Sequence, residues 1–445
     1  MYLLASVNLA LKVIGEEFVV NPADLGLINS VYLLLSSICI VPLGKVSDIL
    51  GPKKTLLFGA SFFIISNLLV IFFAHSFLSL LIFRTIQGIA ASSLVVSNTP
   101  IITTTIPAKY RTTALGILSG LVYSGTTAGN FIGGFLTQSF GWRSIFISAA
   151  IAGGIALMII KFVVPDREVD KEASRKFDLP GIVFYALTLI FLQGSANRLN
   201  EPLGWVLFAG FAAGLASFIF SQYKSAEPIY DIKLFRSNSV YAVTNILVFI
   251  TFLTTYASQY LLGLYLQCNR EMSPVKSGIV ILIQPVLQLL VSPLAGYVAD
   301  KTSPGKVSAA GMGLIALSLV ILANLGETTP MYLIYFAMIL TGSGIALFSA
   351  PNTSIMLGSV PESRQGSAVA SNYVMLSVGM QTGIIICGLA FLFLVGKEAK
   401  IQKENFDEML IATQISYWFF AIIATAGFAM LLNPKHLRKI PDLRK

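Results

Sequence analysis

The sequence predicts an all-α polytopic membrane protein, and three observations carry that prediction. Apolar residues make up 55 % of the 445 and charged residues 11 %, against roughly 25 % charged in an average soluble protein. Long apolar runs recur from end to end, each close to the ~20 residues that a helix needs to cross a bilayer. Of the thirty lysines and arginines, 21 gather in alternate connections between those runs and in the C-terminal tail. Such a chain has no soluble core; its helices are solvated by lipid and by one another.

The runs fall at about 1–15, 24–44, 55–74, 78–104, 113–138, 142–164, 180–196, 203–222, 239–266, 277–298, 306–325, 330–357, 366–395 and 411–432. The first is short for a span and starts without the polar leader of a signal peptide, so it reads as a truncated first helix. With the connection at 45–54 placed in the cytoplasm, the segments on that side hold 21 Lys/Arg and the opposite side holds seven. A three-to-one bias is a strong positive-inside signal. It requires an even number of spans, fourteen here, and puts both termini in the cytoplasm of a multi-pass plasma-membrane protein. Lys12 and Arg84 lie inside runs. The net charge of +9 is therefore loop charge that orients helices, and no basic run with interleaved aromatics points to nucleic acid. Cys39, Cys268 and Cys387 sit in or at the ends of runs without metal-ligand spacing and read as packing residues.

The connection between the sixth and seventh runs is long and charged, and the two runs after it are poor in polar residues apart from Gln193 and Gln222. Residues 227–235 then mix acids with apolar side chains, as an interfacial segment does. The organisation is six plus two plus six. Residues 1–164 form an N-terminal six-helix half, and 165–238 a charged linker with two extra transmembrane helices. Residues 239–433 form the C-terminal half, and 434–445 a basic cytoplasmic tail.

One polar stretch organises this plan. Gly44-Lys45-Val46-Ser47-Asp48-Ile49-Leu50-Gly51-Pro52-Lys53-Lys54 separates the second and third runs, and Gly296-Tyr297-Val298-Ala299-Asp300-Lys301 echoes it 252 residues later. Each keeps glycine four residues before aspartate, with Pro42 or Pro293 upstream. Gly44 lets two helices approach closely, Asp48 can cap a helix or pair with a cation, and Lys53 and Lys54 suit anionic headgroups; an ordinary positive-inside loop is the other reading of such a turn. The first copy resembles the loop between helices 2 and 3 of the major facilitator superfamily, whose pattern runs Gly-x-x-x-Asp-Arg-x-Gly-Arg-Lys. Gly44, Asp48, Gly51, Lys53 and Lys54 match in type, and Ile49 replaces the usual arginine.

Further motifs extend the resemblance. Arg84-Thr85-Ile86-Gln87-Gly88 is similar to the superfamily's helix-4 motif, linked in proton-coupled members to proton transfer. A buried guanidinium costs a few kcal/mol or more, so Arg84 needs a partner or a water-filled cavity. Gly125, Gly129, Gly133 and Gly134 resemble the helix-5 antiporter motif, with Asn130 in place of its proline; spacing of this kind also serves plain helix packing. Val7-Asn8-Leu9-Ala10-Leu11-Lys12-Val13-Ile14 looks like the helix-1 pattern of drug:proton antiporters, with Lys12 at the proline position. Together these resemble the fourteen-helix drug:proton antiporter branch, which includes tetracycline and multidrug exporters. The resemblance implies the major facilitator fold, with two six-helix halves rocking about a central cavity and two inserted helices outside.

Polar residues on the remaining runs are candidates for lining that cavity: Asn8, Asn29, Tyr123, Thr126, Tyr256, Gln259, Tyr260, Gln284, Gln288, Asn352, Asn372 and Gln381. An isolated amide in a span also serves to bond a neighbouring helix. No cluster of His, Asp or Glu beside a nucleophile supports a membrane protease or acyltransferase, and no Gly-x-x-x-x-Gly-Lys-Ser/Thr supports an ATP-driven pump. The expectation is a non-enzymatic, cofactor-free secondary active transporter, a monomer in the bilayer, that exports amphipathic molecules or drugs against proton entry. Arg84 and Gln87 are the coupling candidates, with Glu16 or Glu17 at the outer mouth supplying the exchangeable proton. Proton-independent facilitation of a neutral metabolite, and a non-transporting membrane scaffold or receptor, stay open at this point.

Overall fold

A computed structural model describes residues 2–19, 25, 27–165, 178–196, 198, 201–225, 228, 230, 232–272, 274–394 and 406–432. The tail at 434–445 and most of the linker at 165–178 lie outside them. The described residues form helices and no strand. The helices are α1 (Tyr2–Phe18), α2 (Leu27–Leu50), α3 (Pro52–Phe73), α4 (Phe77–Thr105), α5 (Arg111–Phe140), α6 (Arg143–Val163), α7 (Leu179–Ala196) and α8 (Pro202–Lys224). They continue as the short α9 (Ile232–Ser237), α10 (Ser239–Cys268), α11 (Pro274–Lys301), α12 (Pro304–Ala323), α13 (Met331–Gly358), α14 (Gln365–Leu394) and α15 (Phe406–Leu432). Every apolar run thus becomes one long helix, and α9 falls in the stretch that mixes acids with apolar side chains. Eleven of the helices are long and apolar enough to cross a membrane by themselves. The chain is a multi-pass membrane protein.

The polar hinge is less of a turn than its composition implies. α2 runs on through Gly44 and Asp48 to Leu50, and the chain reverses at Gly51 alone, whose φ of 93° suits glycine. Pro52 then occupies the first turn of α3, where its missing N–H costs nothing. The echo behaves likewise, with Gly296 and Asp300 inside the last turns of α11. Backbone hydrogen bonding explains this: in a bilayer, continuing the helix satisfies polar backbone that a loop would leave bare.

The first six helices and the last six share one packing scheme. α2, α3 and α6 pack on α4, α4 and α3, and α11, α12 and α15 do the same on α13, α13 and α12; α1 lies on α5 as α10 lies on α14. Across the two groups, α5 packs along α11 and α2 along α14. The larger apolar core belongs to α10–α15, around Leu262, Leu319, Met338 and Phe420. A second one joins α1, α2, α3, α4 and α6 around Val7, Ile28, Val70, Leu80 and Trp142.

The inserted pair is placed asymmetrically. Tyr185 and Leu189 of α7 pack with Ile40 and Val41 of α2 and with Ala370 and Val374 of α14, so α7 covers the α2–α14 seam. The Tyr185 hydroxyl donates to the Ser37 carbonyl at 2.9 Å, and Ser37 Oγ meets Ser377 Oγ across the seam at 2.8 Å. At the start of α7, Asp178 accepts from Gly181 N and from Gln222 Nε2 of α8, and Gln222 in turn accepts from Tyr230 N.

The glycine motif of α5 is a packing face here. Ser6 of α1 donates to the Gly129 carbonyl at 2.9 Å, and a Cβ on Gly129 or Gly133 would collide with Tyr2 or Ser6. Gly125 and Gly134 are half-buried on the same helix, and the side chain of Asn130 lies outside the described residues. Overpacking of this kind costs about 1–3 kcal/mol. Gly133→Leu is expected to lower the melting temperature in detergent by several degrees. Gly154→Leu, at a position on α6 with open space around it, is expected to leave it unchanged.

Candidate functional site

At the basic end of the helices, two carboxylates join the two helix groups by the same bonds. Asp300, near the end of α11, accepts from Thr112 N at 3.1 Å on one oxygen, and from Thr113 N at 2.7 Å and Thr113 Oγ1 at 2.6 Å on the other. Asp48, near the end of α2, accepts from Gly366 N at 2.8 Å on one oxygen, and from Ser367 N at 2.9 Å and the Ser367 hydroxyl on the other. Each acid therefore caps, from the opposite group, the first turn of α5 or α14. The N–H groups there have no partner within their own helix, and the helix dipole favours a negative charge. Hydrogen bonds to a charged acceptor contribute about 1.5–3 kcal/mol each.

Close approach makes the caps possible. A Cβ on Gly44 would come within 2.7 Å of the Ala370 Cβ, and one on Gly296 within 2.8 Å of the Thr113 Cα. A second bond reinforces each latch. Thr103 of α4 donates to Gln365 Oε1 of α14 at 2.5 Å, and Thr112 of α5 meets Ser354 of α13 at 3.0 Å. The partner that Ile49 does not supply is thus a helix start, and the Arg364 charge also acts on Asp48.

The receiving ends are a repeat that sequence reasoning missed. Pro107-Ala108-Lys109-Tyr110-Arg111-Thr112-Thr113-Ala114 and Pro361-Glu362-Ser363-Arg364-Gln365-Gly366-Ser367-Ala368 both place a hydroxyl six residues after proline and alanine seven after it. In both, a single 3₁₀ turn (Ala108–Tyr110, Glu362–Arg364) precedes the helix, closed by a bond to the proline carbonyl. The signal was present, 254 residues apart, but Thr-Thr and Gly-Ser do not look alike until backbone N–H groups are counted as the ligands.

Inside the first group, Arg84 is fully buried and satisfied by neutral groups. Its Nε donates to the Ile28 carbonyl at 3.2 Å, one terminal nitrogen to Gln87 Oε1 at 2.9 Å and the other to Asn29 Oδ1 at 2.7 Å. The guanidinium carbon lies 4.6 Å from the centre of the Tyr32 ring. Gln87 donates onward to Asn67 at 3.3 Å, and Asn29 donates to Asn8 at 2.5 Å. Asn8 is exposed, so this network of five polar side chains from α1, α2, α3 and α4 runs from a buried cation to an accessible amide.

The acids proposed for coupling stand elsewhere. Glu17, at the end of α1, accepts from Trp142 Nε1 at 2.6 Å and pairs with Arg143 at 2.7 Å, while Arg143 also donates to the Ala74 carbonyl. This clamp ties α1 and α6 to the end of α3, and exposed Glu16 lies at the same end. The described partners of Glu17 thus come from the start of α6 and not from the Arg84 network.

A cavity of about 170 Å³ lies between the groups, directly above the latches. Tyr123, Tyr373, Phe252 and Phe348 give it aromatic walls, and Ser119, Thr353 and Asn372 give it neutral polar groups. An apolar cavity of roughly 150 Å³ accepts one benzene ring, so this space admits a single ring or the edge of a larger planar system. Of the other cavity candidates, Tyr256 and Tyr260 are exposed on α10 with Gln259 half-buried, and Gln284 and Gln288 are buried on α11. Gln284, Gln381 and Asn352 each keep a side-chain carbonyl without a hydrogen bond among the described residues, while Asn352 donates to the Thr244 carbonyl of α10. Thr126 donates to the Val122 carbonyl of its own helix. Lys53 and Lys54 open α3 beside a second cleft of about 340 Å³ on the basic face, with Thr104, Thr105 and Val164.

Removing the charge from both latches frees the helix starts. Asp48→Asn with Asp300→Asn is expected to lengthen the distance between spin labels at Lys109 and Thr302, measured by pulsed EPR, with each single variant intermediate. Unchanged distance distributions in the double variant would show that the latches do not hold this end closed.

Comparison with known proteins places these features. The family model described as Major Facilitator Superfamily matches residues 1–259 and 244–444. The riboflavin transporter RibZ of Clostridioides difficile (strain 630) is 28 % identical over 97 % of this chain and 93 % of that protein. The multidrug resistance protein Stp of Mycobacterium tuberculosis (strain CDC 1551 / Oshkosh) is 28 % identical over 86 % of this chain and 71 % of its own length. Among solved structures, the proton:xylose symporter XylE bound to 6-bromo-6-deoxy-D-glucose superposes with a TM-score of 0.67 at 15 % identity. That match covers 99 % of this chain and 92 % of the other, and supports the fold alone.

Proposed function

Because the chain belongs to the major facilitator superfamily, we propose that it is a secondary active transporter that exports amphipathic small molecules across the plasma membrane by alternating access. The observation that carries this reading is the pair of matched latches, Asp48 of α2 bonded to the start of α14 and Asp300 of α11 bonded to the start of α5. Two equivalent contacts that can break together at one end are what a rocking pair of helix bundles requires, and a static scaffold has no use for them. With the basic end in the cytoplasm, the latched form is closed to the cytoplasm. The relatives support a small-molecule cargo, since they include a riboflavin transporter and a multidrug resistance protein.

Proton entry drives export in this reading. Arg84 and Gln87 form the polar centre of the first half, and Glu17 is the carboxylate at the outer mouth that exchanges with protons. Protonating Glu17 would release the Trp142 and Arg143 donors that now hold it and loosen α1 from α6. A second reading, facilitation without protons, draws support from Arg84, whose described partners are all neutral.

Proteoliposomes separate the two. In the coupled case, collapsing an imposed pH gradient abolishes concentrative efflux of riboflavin or a drug while counterflow persists, and Glu17→Gln does the same at any gradient. Full efflux by Glu17→Gln excludes Glu17 as the exchanging group, and efflux indifferent to the gradient excludes coupling. Absence of counterflow for every solute would leave the scaffold.

A further inference from the structure

The cavity between the helix groups is built from both of them. Ser119 and Tyr123 come from α5 of the first group, and Phe252, Asn372 and Tyr373 from α10 and α14 of the second. No charged side chain is among its described lining. An occupant is therefore told apart there by its shape and by the hydrogen bonds it can make.

Asn372 is the one amide in that described lining. Several other amides in the spans hold helices together. Asn29, Asn67 and Gln87 close the shell of Arg84, and Asn245 and Asn352 donate to the Tyr241 and Thr244 carbonyls. Asn372 is used differently. Its Nδ2 donates to Met356 Sδ at 3.5 Å, and its side chain makes no other hydrogen bond among the described residues. A thioether is a weak acceptor, so the amide N–H is held loosely and the amide carbonyl is uncommitted. Met356 lines the same cavity, which sets this spare amide beside its space. Asn372 also follows Ser367 by five residues on α14, less than a turn and a half. The helix that Asp48 caps is thus the one that presents the amide.

We infer that Asn372 selects the cargo by its edge: flat ring solutes with a ring N–H beside a ring carbonyl, as in lactams and imides, are favoured over isosteres that lack the N–H. The inference rests on the transport reading above and narrows its substrate class. A primary amide offers an acceptor and a donor side by side, and a lactam meets both at once in a cyclic pair of bonds. The rings of Tyr123, Tyr373 and Phe252 suit a flat partner, and a space of about 170 Å³ admits the ring that carries such an edge. With oxygen in place of the ring N–H, the Asn372 carbonyl faces a lone pair and loses its donor. Leaving a desolvated acceptor without its partner lowers affinity by about tenfold or more.

Two fluorescent bicyclic probes of the same shape test this rule: 7-amino-4-methyl-2-quinolone, a lactam, and 7-amino-4-methylcoumarin, the matching lactone. Binding is read by fluorescence titration of the purified protein in detergent, and transport by counterflow in proteoliposomes. The wild type is expected to bind the quinolone about tenfold or more tighter than the coumarin. Asn372→Leu and Asn372→Ala are each expected to bring that ratio close to one, chiefly by weakening the quinolone. Comparing ratios between proteins in one detergent cancels any partition of the probes into micelles. A ratio near one in the wild type overturns the inference. So does the wild-type ratio retained in either folded variant, or failure of both probes to bind. In those cases counterflow of any solute leaves the transport reading standing. No counterflow of any solute overturns the transport reading, and with it the part of Asn372 in cargo choice, whatever the ratio.

Discussion

The structure depends on one interaction made twice: a carboxylate at the end of one helix capping the first turn of a helix in the other group. Asp48 and Asp300 each gather two backbone N–H groups and one hydroxyl. Backbone donors cannot be swapped for another residue type, so the receiving ends tolerate Thr-Thr in one place and Gly-Ser in the other. The giving ends are stricter. Only an acid supplies two charged acceptors, and only a small residue one turn earlier lets the helices come close enough. The repeat of glycine four residues before aspartate is the sequence trace of that constraint.

Arg84 answers the complementary problem of a buried charge whose described partners are all neutral. A lone guanidinium in a bilayer is expensive, and the chain offsets that cost with amides, a carbonyl and an aromatic face drawn from α1, α2, α3 and α4. The same network therefore binds four helices of one half together. Latch and network divide the work: acids at the ends join the two helix groups, and the buried cation ties the helices of one group to each other.

The inserted helices break the symmetry of this arrangement. α7 lies over the α2–α14 seam, with Tyr185 bonded to Ser37 and Ser37 bonded to Ser377, so one inter-half contact is backed by a third helix. α5 and α11 make the equivalent contact through Gly116, Gly120 and Gly296 at close range. One seam is thus tightened by packing from outside and the other by the absence of side chains between the helices.

Much of the fold was legible in the residues because a bilayer restricts the solutions. Each apolar run of span length became a helix, and the Gly-x-x-x-Asp repeat pointed to both latch acids. Arg84 was legible as a buried charge in need of partners. What the sequence could not specify was who those partners were. Asp48 could have met a lysine, and it meets Gly366 and Ser367, 318 and 319 residues away. Asn29 read as cavity lining, and it is part of the arginine's shell. Glu17 was legible as an acid at the outer mouth, and its partners there are Trp142 and Arg143. Helix formation in lipid is decided locally, by hydrophobic length and backbone hydrogen bonding within one segment. Pairing between segments is decided by which helix ends and faces meet after packing, and no local pattern carries that information.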